Sequence, residues 1–398
     1  MKIHVVLVSA QTLPNLIPIL MEQPNKVYLL ASQTMMKSGN AKHLADILEH
    51  TNQSNQTHTE IEICEGMPDH RMSDIQNYVM ESADKIRKAH LDADITINAT
   101  GGNKLMSMGL VEAWRKTATK IIYVDTQHRR IEILPDADGK VAPPILMQNH
   151  LDVPLYLLVQ KFKYVNATSD NPAWIEQANS RKAISNLLAQ DVTALTGLIS
   201  DINRIAMLAI DSKKENGEYL EILVRPQQEL SYFPRKEFLP ALNMMSDCGF
   251  IIWKKGSKLI QFIDIEKLRF LRGGWLEEYA WHVLHDEKLF DVRHSVKVTD
   301  KQAKNEFDVL ACHLNQLLFI ECKTLRFNNE NDNEISYKID SLGQDARGLF
   351  GETWLLSART PTTILKDRAA KAHFRIIGPD ELPNLRAIVK NWIDSKMN

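Results

Sequence analysis

Asp308, Glu321 and Lys323 lie inside two short apolar runs, NEFDVLACHL (305–314) and QLLFIECKT (316–324). Side chains two apart on a strand share a face, so Glu321 and Lys323 point one way while Ile320 and Cys322 point the other. The polar region His313–Asn315–Gln316 suits a turn. The runs therefore predict a hairpin that brings Asp308 to the same place as Glu321. Burying such charges without partners would cost several kcal/mol each. A divalent cation between the carboxylates removes that cost. Two carboxylates, a backbone carbonyl and waters make an oxygen site suited to Mg²⁺ or Mn²⁺. A metal there lowers the pKa of a bound water and stabilises charge on a phosphoryl group. The Lys323 ammonium beside it could hold the attacking water or neutralise developing charge. The chemistry predicted is metal-dependent phosphodiester hydrolysis. Upstream, GGWLEEYAWHVL (273–284) reads as a helix with an apolar face of Leu276, Tyr279, Ala280, Val283 and Leu284. Glu277 or Glu278 would enter the site from its rim, and Glu277 is the choice. A strand-end ion pair would also account for Glu321 and Lys323. It does not account for four elements in this order.

A second group of residues sits where the N-terminal strands end. Ser9, Ala10, Gln11 and Thr12 follow the first strand, Ser32 and Gln33 the second, and NATGGNK (98–104) the fourth. Ligands of parallel α/β sheets bind at the carboxyl ends of the strands. In the last stretch, Thr100 precedes Gly101 and Gly102, which let backbone approach a ligand. Asn103 leads into a helix whose first N–H groups carry positive potential, and Lys104 adds a cation. The set suits a phosphate-bearing ligand. A tight strand–helix turn would also use these glycines. Neither GxxxxGK[ST] nor GxGxxG is present, which disfavours a P-loop and a dinucleotide cofactor.

The elements that must position these residues follow from pattern. The chain has 398 residues, enough for two or three domains, with 44% hydrophobic and 25% charged residues. Its formal net charge of −2 makes any nucleic-acid contact a local patch. The N-terminus reads as a strand and not a signal peptide, and no apolar run is long enough to cross a membrane. Cys64, Cys248, Cys312 and Cys322 show no CxxC pairing, so a zinc or disulfide framework is disfavoured and the cytoplasm is the expected location.

Residues 1–150 alternate strands (2–9, 26–32, 60–66, 94–100, 120–126, 130–136) with helices such as 40–50, 72–89 and 104–116. This predicts a Rossmann-like domain, a mostly parallel sheet ending in an antiparallel hairpin. Residues 151–270 read as a connector, helical and winged-helix-like: helices over 172–190, 192–210 and 236–250, then a hairpin over 251–265. A plain spacer is the favoured reading of that segment. Residues 271–398 predict an α/β domain with strands at 305–314, 316–324 and 354–358. A polar loop at 328–333 and a helix over 337–351 would lie near the site, with Lys338, Gln344 and Arg347 as phosphate contacts. Arg359, Lys366, Arg368, Lys371 and Arg375 add a basic tint.

The helix glutamate Glu277, then Asp308, then Glu321 and Lys323 resemble the PD-(D/E)xK, restriction-endonuclease-like nuclease core. With the NATGGNK loop and the domain order, the chain resembles the CRISPR-associated CARF nucleases, ancillary effectors of type III systems. The resemblance implies that the N-terminal CARF domain binds a cyclic oligoadenylate, above all cyclic tetra-adenylate. It implies a homodimer, whose twofold symmetry matches a cyclic ligand. It also implies ligand-switched cleavage of single-stranded RNA or DNA, or nicking of duplex DNA, with Mn²⁺ or Mg²⁺. One competing reading is a nucleotide-sensing, DNA-binding transcription regulator with a non-catalytic C-terminal domain. Another is an unregulated repair or restriction nuclease.

Overall fold

The computed structural model of the chain describes residues 1–215, 218–300, 303–325, 339, 343–348 and 351–394. It divides into two compact units, Met1–Leu151 and Asp152–Asp394.

In the first unit the strands are β1 (Lys2–Leu7), β2 (Lys26–Ser32), β3 (Glu60–Met67), β4 (Asp94–Asn98), β5 (Lys120–Asp125), β6 (Arg130–Ile133) and β7 (Ile145–Leu146). Between them lie α1 (Leu13–Glu22), α2 (Gln33–Lys37), α3 (Asn40–Asn55), α4 (Met72–Ala89) and α5 (Lys104–Trp114). The sheet order is β3-β2-β1-β4-β5-β6-β7. The first five strands are parallel. Consecutive residues of β1 and β2 are buried, as strands covered on both faces require. In α4 the buried positions Ile75, Val79, Ala83 and Ile86 recur every three or four residues and turn one face to the sheet. The expected terminal hairpin is β5–β6, antiparallel. A short β7 pairs beyond it, so β6 is not the sheet edge. The order reverses at β1. The chain goes from β1 to β2 and β3 on one side, then returns to β4 on the other, which opens a crevice above the ends of β1 and β4.

The second unit opens with α6 (Val153–Val159), β8 (Lys163–Ala167), α7 (Pro172–Gln190) and α8 (Thr196–Ala209). A hairpin of β9 (Ile210–Glu215) and β10 (Glu218–Leu223) follows, a feature that the apolar pattern at 192–210 does not announce. Next come β11 (Gln227–Glu229), α9 (Leu239–Asp247), β12 (Ile251–Trp253), β13 (Leu259–Phe262), α10 (Ile265–Arg269) and α11 (Trp275–Asp286). The expected 251–265 hairpin is β12–β13, and β11 joins it to give a small sheet ordered β11-β13-β12. Then come β14 (Asp291–Asp300), β15 (Ala303–His313), β16 (Gln316–Lys323), β17 (Glu352–Ser357) and β18 (Arg375–Ile377). The large sheet is ordered β18-β17-β16-β15-β14-β8. β14, β15 and β16 form an antiparallel meander, whereas β17 and β18 run parallel to β16.

Residues of the middle segment share one core with the sheet. Ile184, Leu198, Ile202, Met245 and Phe262 belong to the same buried cluster as Trp275, Val309, Ile320 and Trp354. β8 comes from that segment too, and pairs with β14 at the edge of the large sheet. The loop 328–333 and Lys338 lie outside the described residues, as does most of 337–351, where only Gln344–Arg347 is described as α-helix.

Candidate functional site

The β15–β16 ladder runs from His313↔Gln316 to Val309↔Ile320. One step further, the register sets Asp308 opposite Glu321, on the same face of the sheet. Here the ladder ends. Cys322 donates its N–H to Asp308 Oδ2 at 2.7 Å instead of to a backbone carbonyl of β15. On its other side β16 stays paired with β17 as far as Lys323↔Ser357. The parting of β15 from β16 makes room for side chains from both. Glu321 is fully buried, and Lys323 Nζ lies 2.7 Å from its Oε1. Burial works against the Lys323 charge, but Glu321 and then Asp308 outweigh it and raise its pKa.

The two glutamates at the start of α11 have different surroundings. Glu278 is buried and meets Arg181 of α7, with Nη2–Oε1 at 2.5 Å and Nε–Oε2 at 2.7 Å. Glu277 is 29% exposed at the mouth of the site. Its low-dielectric surroundings, then the Asp308 and Glu321 carboxylates, hold its carboxyl well above the usual carboxylate range. Thr324, directly after Lys323, donates from Oγ1 to the Arg272 carbonyl at 2.9 Å. That bond fastens the segment leading into α11 to the end of β16.

Sequence reasoning missed three neighbours. His294 of β14 is buried, stacks on Trp174 at 4.4 Å between centroids, and brings Nε2 within 3.5 Å of Glu277 Oε2. Burial, with Arg181 and His282 nearby, pushes its pKa down to about 3, so the ring is neutral. Ser295 stands opposite Asp308 with φ +50°. That is a strained setting for a non-glycine residue in a strand. Its hydroxyl donates to Glu306 at 2.5 Å. Glu306 is two residues before Asp308, so alternation along β15 was its only signal.

Among the described residues, no three His, Cys, Asp or Glu side chains are gathered closely enough to hold a metal by themselves. An oxygen site built from two carboxylates, a backbone carbonyl and waters needs no third side chain. The donors are hard oxygens. Beside burial, the crowding of negative charge raises the Glu277 pKa, and a divalent cation relieves that crowding. The group fits Mg²⁺ or Mn²⁺. Of the expected phosphate contacts, two are otherwise engaged. Arg359 is buried and donates to Thr324 O and Thr196 O. Arg347 donates to His373 O and Ala372 O. Both brace backbone because their long side chains reach carbonyls left free at element ends. Lys366, Lys371 and Arg375 are exposed.

At the sheet crevice of the first unit, the loop after β4 folds tightly over the end of β1. A Cβ on Gly101 would lie 1.8 Å from Leu7 O, and Gly102 has φ +69° and abuts the Leu7 side chain. Both glycines are therefore required by packing. Thr100 Oγ1 donates to Asn98 and accepts from Val124 N, tying β4 to β5. Asn103 caps α5 by accepting from Met106 N, and donates to Asp69 O at 2.6 Å. Ser32 caps α2 by accepting from Met35 N. Thr12 is buried at the start of α1. Ser9 donates to Gln11 O, and Gln11, Gly102 and Lys104 are exposed at the crevice. Two features were not expected. Thr34 and Asp69 join at the rim, with Thr34 Oγ1 donating to Asp69 Oδ2. Asn15 is fully buried close under Gly101, and neither carboxamide atom has a hydrogen-bond partner among the described residues.

Residues 3–156 match the family model described as the Card1 CARF domain. Residues 264–396 match that described as Card1-like, endonuclease domain. The fold is similar to the crystal structure of protein VC1899 from Vibrio cholerae, at a TM-score of 0.78 and 20% identity, covering 99% of this chain and 98% of that one. It is also similar to Can2 from Sulfobacillus thermosulfidooxidans, solved in complex with cyclic tetra-adenylate, at a TM-score of 0.71 and 22% identity, covering 99% of each chain. No curated protein matches the sequence. At these identities the structural likeness speaks for the fold, and the two family models speak for the domains. The chain is therefore a CARF nuclease, with an N-terminal domain of the Card1 CARF family and a C-terminal domain of the Card1-like endonuclease family.

Proposed function

We propose that the chain is a metal-dependent endonuclease of CRISPR antiviral defence, switched on by a cyclic oligoadenylate, with cyclic tetra-adenylate as the expected ring. The observation that carries the nuclease part is the parting of β15 from β16 at Asp308. It leaves Asp308, Glu321, Lys323 and Glu277 around one gap. Asp308 and Glu321 would hold Mg²⁺ or Mn²⁺, with Glu277 at the rim. When bound, the cation would supply Lewis acidity toward a phosphodiester and acidify a water. Lys323, held charged by Glu321 and Asp308, is set to orient the attacking oxygen and to balance negative charge gathering on the phosphate. Glu277 can take up a proton at its carboxylate as the nucleophile forms. The neutral His294 ring packs beside it and excludes water from that side.

The CARF crevice supports the activator half of the reading. Exposed backbone at Gly102, the start of α5 and the Lys104 ammonium suit phosphates. The unpartnered Asn15 carboxamide suits a hydrogen-bonding ligand or a water beneath the loop. Can2, similar in fold, was solved with cyclic tetra-adenylate. A twofold ring matches a site built from two copies of the same loops, so the active form is a homodimer. The ligand must bind the cutting arrangement more tightly than the resting one, or nothing shifts.

The test uses purified protein with Mn²⁺ or Mg²⁺, labelled single-stranded RNA and DNA, and supercoiled plasmid, with and without cyclic tetra-adenylate. Cleavage is expected only with ligand, and is expected to vanish in Glu321→Ala and Lys323→Ala. Cutting by those variants at the wild-type rate would refute the site. Ligand-independent cutting by the wild type would refute the switch.

A further inference from the structure

The second unit carries a surface that the nuclease chemistry does not use. Tyr232 and Phe233 follow β11 and are 79% and 71% exposed. Two adjacent large aromatics are unusual in such a setting, because each leaves a wide apolar face in water. They are surrounded by cations. The β11–β13 register ends at Glu229↔Leu259, and Leu230 N–H continues it to Lys258 O at 2.9 Å. The segment after Leu230 thus runs beside the β12–β13 turn. Lys258 Nζ lies 5.6 Å from the Phe233 ring centroid, and Lys254 and Lys255 are exposed in the same turn. Arg235 lies over the Phe238 ring at 5.9 Å, and Lys236 is exposed beside it. From Ser231 to Lys258 there are five cationic and two acidic side chains, in a chain of net charge −2.

The same segment borders a cleft of about 440 Å³ between it and α8, lined by Gly197, Asp201, Arg204, Tyr232, Arg235 and Phe238. The one carboxylate in that lining is already answered, since Asp201 pairs with Arg204 at 2.7 Å and accepts from Ser231 N–H at 2.6 Å. On another side of α8, Asn203 donates to the Thr324 carbonyl at 3.2 Å, one residue past Lys323. The cleft and the catalytic strand end are therefore separated by one helix, roughly 10 Å across.

We propose that this aromatic and basic surface binds single-stranded nucleic acid, gripping a flank of the strand whose scissile phosphate lies at Asp308, Glu321 and Lys323. The inference rests on the nuclease reading above. Exposed rings with cations between them match bases joined by phosphates. Stacking accepts any base, and the cations follow the backbone. Protein interfaces are depleted of lysine, whereas here Lys236, Lys254, Lys255 and Lys258 stand around the rings, which favours a phosphate backbone over a protein partner.

The test uses the full-length chain with Mn²⁺ and cyclic tetra-adenylate. Binding of a fluorescein-labelled thymidine oligomer of about 20 nucleotides is followed by anisotropy in a Glu321→Ala background, and cleavage is followed in the otherwise wild-type chain. Tyr232→Ala with Phe233→Ala is expected to weaken binding about tenfold or more. KM for the oligomer should rise by a similar factor. Lys254→Ala, Lys255→Ala and Lys258→Ala together should flatten the slope of log affinity against log salt by about 2. Tyr232→Trp, which keeps a stacking face, should retain affinity. If the wild type cuts and both sets of variants bind and cut like it, the surface has another occupant, such as a protein, and this proposal fails while the nuclease reading stands. If the wild type neither binds nor cuts any strand with activator and metal present, the nuclease reading fails and takes this proposal with it.

Discussion

Glu277 and Glu278 are adjacent on α11, and only Glu278 is clamped by an arginine. The Arg181 guanidinium holds it in a buried pair, whereas Glu277 faces two further carboxylates. The two should therefore fail differently. Glu277→Gln is expected to lower cleavage by about 100-fold while the melting temperature stays level or rises, since one of three crowded acids becomes neutral. Glu278→Gln is expected to cost about 3 kcal/mol of stability, because Arg181 is left without its partner, and to spare cleavage in the fraction that folds. Thermal melts beside single-turnover assays separate them. A loss of activity in Glu278→Gln with unchanged stability would reverse the assignment. Glu22 of α1 gives a pH signature in the first unit. Burial alone would raise its pKa, but hydrogen bonds from His4 and Lys120 bring it down to about 2. A carboxylate depressed in the folded state stabilises it above the unfolded value, near 4.5, and that stability is lost as pH falls toward 2. The wild type should therefore lose melting temperature between about pH 4.5 and 2 more steeply than Glu22→Gln does. Parallel curves would remove Glu22 from the account.

At the scale of elements, both sites depend on how one strand ends. β16 keeps its parallel partner β17 and loses its antiparallel partner β15, so Lys323 and Thr324 stand at a fork. Thr324 then reaches back to Arg272 and accepts from Asn203, which ties α8, the entry to α11 and β16 into one support. In the first unit the loop after β4 lies against Leu7, the last residue of β1. Gly101→Ala should break that contact, since the new methyl would overlap the Leu7 carbonyl oxygen. We expect a loss of at least about 2 kcal/mol and loss of the melting shift produced by cyclic tetra-adenylate. A Gly101→Ala protein with normal stability and a normal ligand shift would show that the loop is not built as described.

For the whole molecule, two domain families share one chain, and the proposed link between them is a shift in population. A ligand at 100 times its dissociation constant should add about 2.7 kcal/mol to the stability of the domain that binds it. Titration calorimetry of Glu321→Ala with cyclic tetra-adenylate should show this binding intact, at one ring per two chains. One ring per chain would argue against a site shared across a homodimer.

The sequence by itself determined the alternation of strands and helices in residues 1–136, the hairpin carrying Asp308 and Glu321, and the face shared by Glu321 and Lys323. These are local matters, since period-2 and period-3.6 patterns fix which side chains share a face before any partner is chosen. Four things were decided only by tertiary structure. β8, from the middle segment, pairs with β14 at the edge of the large sheet, and the middle helices share its core. β15 and β16 part at Asp308. Arg181 takes Glu278 and leaves Glu277 to the acidic site. Thr100, Asn103, Arg347 and Arg359, all plausible ligand contacts by type, are engaged in holding backbone together. Apart from the Asn103 cap and the fork inside the hairpin, these depend on groups far apart in the chain, and a side chain's free hydrogen-bonding capacity is known only once its neighbours in space have taken their share.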